Sequence, residues 1–254
     1  MTRVPNRAAR LLFTGLLVNC LVAAAPAHAL TLLTEENPPF NFTEGGKLTG
    51  IATDIVNEMA KRAAVPLQTR VQTWESAYQS AQADKDTCLF ATARLENRER
   101  LFQWVGPLAS NRWAMFGKSD FAVPVKGFAD MRRLKIGGIE SDAKVEYLMT
   151  KGVTNFRLYA SDAQIPPRLM LKKDDPNHID LWVTGVFSAK SVAAAAKVKN
   201  LKQVFVVREE DLYLACSPRT AKADVKKLAD ALAAMVKDGF VKKTTETYEK
   251  RFAQ

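Results

Sequence analysis

At 254 residues, 47% hydrophobic and with a formal charge of +10, the chain has room and apolar material for one large domain or two small ones. Its basic excess is scattered, with no stripe suited to nucleic acid. Two histidines and three cysteines form no metal-ligand cluster, and neither a Ser-His-Asp order nor a glycine-rich phosphate loop is present.

The N-terminus has the pattern of an export signal. Arg3, Arg7 and Arg10 make a basic start, Leu11 to Ala25 is an apolar run short for a membrane span, and Ala27-His28-Ala29 is a small-x-small cleavage site. Residues 1–29 are predicted to be a signal peptide cut after Ala29. The mature chain then begins at Leu30 and is expected to be a soluble protein of the periplasm. Cys20 lies inside the apolar run, after Leu17-Val18-Asn19, a poor lipidation box because Asn is not small and apolar. Loss of the three signal arginines takes the charge from +10 to +7 and leaves two cysteines, Cys88 and Cys216. In an oxidising compartment these either pair or serve as small buried apolar residues.

From Leu30 onward, strand-like and helix-like runs alternate. Strands are predicted at 30–34, 66–72 and 87–93. Helices are predicted at 51–64, with Ile51, Ile55, Met59 and Ala63 on one face, and at 74–83. After an aromatic-Gly-Pro break at 104–107, another strand-like run covers 112–117. A second series has strands at 134–139, 156–160 and 179–183 and helices at 141–151 and 187–198. Pro166-Pro167 is expected to start or kink a helix. Strands at 203–207 and 212–216 follow, and helices at 221–237 and 241–252, separated by Asp238-Gly239, close the chain. Such alternation predicts an α/β fold with parallel sheets covered by helices on both faces.

The stretch Thr92 to Pro107 carries the strongest functional signal. It follows the apolar strand Cys88-Leu89-Phe90-Ala91 and contains Arg94 and Arg98. Arginine at the carboxyl end of a buried strand offers paired donors to a carboxylate, on the sheet edge where α/β folds bind ligands.

Several segments together resemble the bacterial extracytoplasmic solute-binding proteins of the polar amino acid uptake type, family 3. Pro38-Pro39-Phe40 followed by Gly46 to Ile55 is similar to the family's opening strand end and helix start. Arg98 to Pro107 resembles its Arg-x(5)-aromatic-x-x-Pro signature, with Trp104 where Phe is usual. Ile179 to Val183 looks like its second-lobe strand, and Leu212 to Ser217 resembles its returning hinge strand. The likeness covers essentially the whole mature chain. It implies an α/β, two-lobed periplasmic-binding-protein (type II) clamshell with two hinge crossings. Lobe 1 would span 30–108 plus 212–254, lobe 2 would span 113–207, and the crossings would be 109–112 and 208–211. Such a fold closes on a small ligand by hinge motion.

The resemblance also suggests ligand-binding residues. Arg98 matches the arginine that grips an α-carboxylate, against the alternative of a surface ion pair with Glu96 or Glu99. Arg94 is either a second donor or a brace to Asp120 or a lobe contact. Trp74 and Phe40 fall where aromatic walls are expected, against ordinary core roles. Thr92 should face the cleft. Glu35 or Glu36 meets a ligand amine or is simply solvated. In the loop Gly137 to Asp142, Ser141 is the candidate donor, and Asp142 either caps its helix or contacts an amine. One departure stands out. Relatives that bind amino acids carry an acid just after the second-lobe strand, where Thr184-Gly185-Val186 stands here. Without that acid a bound ammonium would be poorly compensated unless Glu35, Glu36, Asp142 or water replaced it.

The function implied is capture of a small carboxylate-bearing solute, an amino acid or a relative, by a monomer that serves the membrane permease of an ABC importer. No cofactor, metal or nucleic acid is expected. Some relatives resemble periplasmic dehydratases of the cyclohexadienyl type, and a sensor would use the same binding event. An enzyme needs a positioned acid or base. His178 falls in a turn entering a strand and is expected at the surface. No catalytic residue is assigned, although Glu35 and Glu140 carry usable acids.

Overall fold

The computed structural model describes residues 1–2 and 29–253. The expected signal peptide, apart from Met1, Thr2 and Ala29, lies outside the described residues, as does Cys20. In chain order the strands are β1 (Leu30–Thr34), β2 (Phe42–Glu44), β3 (Lys47–Thr49), β4 (Leu67–Val71), β5 (Thr87–Ala93), β6 (Gln103–Lys118), β7 (Ile136–Ile139), β8 (Phe156–Tyr159), β9 (Leu181–Gly185) and β10 (Leu201–Cys216). The helices are α1 (Ile51–Ala63), α2 (Trp74–Ala83), α3 (Phe128–Met131), α4 (Ala143–Thr150), α5 (Pro166–Leu169), α6 (Val186–Ala195), α7 (Lys222–Lys237) and α8 (Phe240–Ala253).

Eight strands form one sheet in the order β4-β1-β5-β10-β6-β9-β7-β8, and β2 and β3 form a separate hairpin. Pairings at the two ends of the sheet are parallel. Those in the middle are antiparallel, because β6 and β10 run side by side in opposite directions for 16 residues each. One end of this ribbon pairs with β5 through Leu212 to Cys216. Its other end pairs with β9 through Trp113 to Phe116. The sheet therefore divides into two lobes that share a ribbon. Between them the crossings are hydrogen-bonded to each other, with Ser110 opposite Asp211 and Arg112 opposite Glu209.

The sequence suggested a break at Gly106-Pro107 and two separate strands before Cys216. Instead, both strands are continuous. Proline donates nothing to a ladder, and a register shift between Leu212 and Leu214 absorbs the mismatch opposite this segment. Sequence patterns locate apolar runs well but do not show that a partner strand carries pairing across polar residues such as Arg208 to Asp211.

Both faces of the sheet are covered, as the unbroken apolar strands require. Along β9, Leu181 and Val183 enter the core that also holds Val145 and Leu148 of α4, and Trp182 enters the core that holds Leu169 of α5 and Ala189 of α6. Helix α1 buries Ile51, Ile55 and Met59, each worth about 1.5–3 kcal/mol relative to exposure. Pro166 and Pro167 open α5, where a missing N–H is harmless. Cys88 and Cys216 face each other across β5 and β10 and form a disulfide spanning 128 residues of sequence. His178 is only 8% exposed, unlike the surface position expected. Its Nδ1 is 3.1 Å from the Leu171 carbonyl, and its Nε2 is 3.4 Å from Asp180.

Among the described residues, no helix is long and apolar enough to cross a membrane, and no group of three His, Cys, Asp or Glu side chains could hold a metal ion.

Candidate functional site

The lobes meet over the carboxyl ends of β1 and β5 on one side and the start of α4 on the other. Arg98 lies in a short 3-10 turn, Glu96–Leu101, immediately after β5. That turn directs its side chain inward, and the residue is fully buried. Its Nη2 donates to Glu146 Oε1 at 2.7 Å and to the Ser141 carbonyl at 2.7 Å, and its Nε donates to Glu146 Oε2 at 3.1 Å. Nη1 has no partner. The guanidinium lies 4.7 Å from the Tyr78 ring centre and 5.6 Å from that of Trp74, a cation–π setting. Arg98 thus pairs with an acid, as one alternative proposed, but with Glu146 of the opposite lobe and not with Glu96 or Glu99.

Trp74 opens α2 and donates Nε1 to the same Ser141 carbonyl at 2.8 Å. Two further bridges run from Asn97 Nδ2 to Glu146 Oε2 at 3.0 Å and from Ser188 Oγ to Asn37 Oδ1 at 2.9 Å. The lobes are closed in this conformation. They enclose a cavity of about 20 Å³ lined by Glu35, Trp74, Ala91, Asn111, Trp113, Asp142 and Lys144, among others. That is room for about one water molecule. Ala91 and Ser141 hold positive φ angles of 58° and 54°. Such strain in non-glycine residues costs about 1–3 kcal/mol each and collects at functional sites.

The cavity wall is rich in carboxyl groups. Asp142 caps α4 by accepting from the Lys144 N–H at 2.7 Å, and its other oxygen takes the Lys144 ammonium at 2.8 Å. Asp142 therefore both caps its helix and contacts an amine, though the amine is the protein's own. Burial works against the Lys144 charge, but Asp142, Asp162 and Glu35 outweigh it and hold its pKa above the ordinary value. Asp162 follows β8 and receives hydrogen bonds from Trp182 Nε1 at 2.8 Å and Thr184 Oγ1 at 2.7 Å. Burial pushes its pKa up, against the pull of Lys144 and of those donors. Glu35 ends β1. Burial, followed by the charge of Asp142, raises its carboxyl to about 8, so it keeps its proton at neutral pH.

The remaining sequence candidates lie elsewhere. Phe40 packs in the core with Ile51 and Ile55 and does not line the cavity. The Thr92 hydroxyl donates to Leu89 O within its own strand at 3.3 Å. Arg94 is paired with Glu99 and lies over Trp104 and Tyr213. Asp120, its suggested partner, pairs with Lys118.

Sequence reasoning missed Glu146, Lys144, Asp162, Asn111 and Trp113. No acid follows β9, but Asp162 from another segment accepts from the Thr184 hydroxyl there. Gly185 lets Asn111 come close, since a Cβ there would lie 2.6 Å from Asn111 Oδ1. One local signal was readable. Lysine at the second position of a helix opposes the helix dipole, so Lys144 needed a reason to be there.

The profile of bacterial extracellular solute-binding proteins, family 3, matches residues 30–251. No curated protein matches the sequence. Among solved structures, the chain is similar to a histidine kinase sensor domain that itself resembles periplasmic binding proteins. The TM-score is 0.77 at 18% identity, covering 87% of this chain and 96% of that one. A mutant of ArgBP from T. maritima gives 0.75 at 16% identity, covering 88% and 96%. ArtJ, an arginine-, lysine-, histidine-binding protein from Geobacillus stearothermophilus, gives 0.74 at 14%, covering 89% and 100%. These neighbours share the two-lobed fold described above. With a family match over nearly all of the chain from Leu30 onward, the protein belongs to the bacterial extracellular solute-binding proteins, family 3.

Proposed function

We propose that the protein is an extracytoplasmic receptor that captures a small carboxylate-bearing solute, an amino acid or a related compound, between its lobes. It acts as a monomer and presents the solute to the permease of an ABC importer. One observation carries the reading: Arg98 is fully buried where the lobes meet, with Nη1 unpartnered. A guanidinium with a spare donor is well suited to a carboxylate. Neighbours with the same fold include proteins that bind arginine. The solute enters an opened form, since the closed cavity holds about one water, and the lobes then close around it.

A thermal-shift screen of refolded protein against amino acids, small carboxylates and amines tests the reading. A true solute raises Tm by mass action, and Arg98→Ala weakens its binding by ~2 kcal/mol or more. If no carboxylate-bearing compound shifts Tm, the receptor reading fails. A second reading is favoured by Glu35, a protonated carboxyl beside a closed cavity, which is suited to acid catalysis. Turnover of prephenate or arogenate by the purified protein would establish the dehydratase reading. The sensor-domain neighbour keeps signalling as a variant of the same capture event.

A further inference from the structure

Lys144 is the residue whose position the fold least explains. It stands two residues after the cap of α4, at the end of the helix that repels cations. Even so, the residue is only 7% exposed and its ammonium reaches back 2.8 Å to Asp142. The Trp113 ring centre lies 5.9 Å away. Burying a lysine forfeits hydration and side-chain entropy. Merely neutralising Asp142 would not require this, because a surface pair does so without burial.

The surroundings suggest what the ammonium is doing there. Asp142 touches the ammonium, Glu35 lines the same cavity, and the charges of Asp162 and Glu35 act on the ammonium without a hydrogen bond. Independently, Asn111 lines the same cavity and is only 2% exposed, and its Oδ1 has no hydrogen-bond donor. A pocket with an open acceptor, the Asp142 carboxylate and a tryptophan wall suits a second N–H-bearing cation.

We propose that Lys144 is a tethered competitor: in the empty, closed cleft its ammonium holds the place that the solute's own ammonium takes on binding. The solute is therefore an ammonium-bearing one, and Lys144 sets how tightly it is held. This inference rests on the receptor reading and deepens it. A tethered group competes at an effective concentration in the millimolar range. It therefore weakens capture of any amine that must displace it and leaves amine-free acids unaffected.

The test begins without knowledge of the solute. Lys144→Ala should melt lower than the wild-type protein. Propylammonium should then restore its Tm saturably, by about 5 °C or more at saturation, and should leave wild type unmoved. Rescue by propanol to the same extent, or none by propylammonium, overturns the inference. In the second arm, amine-bearing amino acids should bind Lys144→Ala at least about tenfold more tightly than wild type, and their deaminated analogues should not gain. Equal gains for both classes, or no gain, also overturn it. Should the alanine variant fail to fold, Lys144→Met, which keeps the bulk without the charge, enters the second arm with the same two outcomes. If rescue succeeds but no amino acid binds either protein, the receptor reading fails while the ammonium site stands.

Discussion

Removing the negative partner of Arg98 should open the protein. Glu146→Gln keeps the size of the side chain and removes its charge. Arg98 is fully buried and Glu146 about one quarter exposed, so the variant leaves a guanidinium inside the lobe junction with only Ser141 O as a strong acceptor. Breaking a buried pair from one side costs about 3–5 kcal/mol. The partial exposure of Glu146 puts this case near 3. Opening the lobes would rehydrate Arg98 at the expense of the Arg98–Ser141, Trp74–Ser141 and Ser188–Asn37 hydrogen bonds and the contact of Asn97 with residue 146, together worth about 3–4 kcal/mol. The two sides then nearly balance, which gives the variant a substantial open population that the paired wild type lacks. Small-angle scattering should show a larger radius of gyration for Glu146→Gln than for wild type. A double-mutant cycle with Arg98→Met should give a coupling of about 2 kcal/mol or more. A coupling below about 0.5 kcal/mol, with the radius unchanged, would refute the idea that this pair holds the lobes together.

Glu35 should give stability an unusual pH dependence. Its folded pKa, about 8, exceeds that of the unfolded chain. The folded state thus holds a proton that the unfolded state releases, and stability is lost as pH rises from about 4.5 toward 8. Because Glu35 keeps some solvent contact, the loss is put at about 2–3 kcal/mol. Glu35→Gln should flatten this part of the Tm–pH curve while Glu36, Asp142, Lys144 and Asp162 stay as they are. Parallel curves for the two proteins would refute it. Cys88→Ala with Cys216→Ala should cost about 3–5 kcal/mol in urea melts, given the long segment that the disulfide closes. A loss under 1 kcal/mol would show that closing this segment contributes little. Gly50 has φ 124°, and a Cβ there would lie 2.4 Å from Phe40 O. Gly50→Ala should therefore cost about 3 kcal/mol or more, and an unchanged Tm would contradict this geometry.

Much of the fold was readable from local pattern. Helix α2 and strand β5 have the bounds the sequence implied, because Trp74, Ala77 and Ala81 recur at helical spacing and β5 is an unbroken buried run. The β2–β3 hairpin was missed although Gly45-Gly46 marks its turn, with both glycines at positive φ. Its strands are three residues long, too short for periodicity to register. In the site, Arg98 stood out because a cation after a buried strand is unusual. Its partner was not visible, since Glu146 lies 48 residues further on and meets it only when the lobes close. Asp162 and Thr184 lie in the same lobe, 22 residues apart, and were missed because their contact joins two separate elements. Side chains on one local element can be read from spacing, whereas contacts made by lobe closure cannot.

The shared ribbon has one more consequence. The chain leaves lobe 1 and returns to it on adjacent strands, with Trp113 directly opposite Arg208. Everything between these two points enters and exits through a single doorway of neighbouring residues. Lobe 2 is thus a cassette: a relative's version could be spliced in at two junctions that sit side by side, carrying its own half of the recognition surface into an unchanged host.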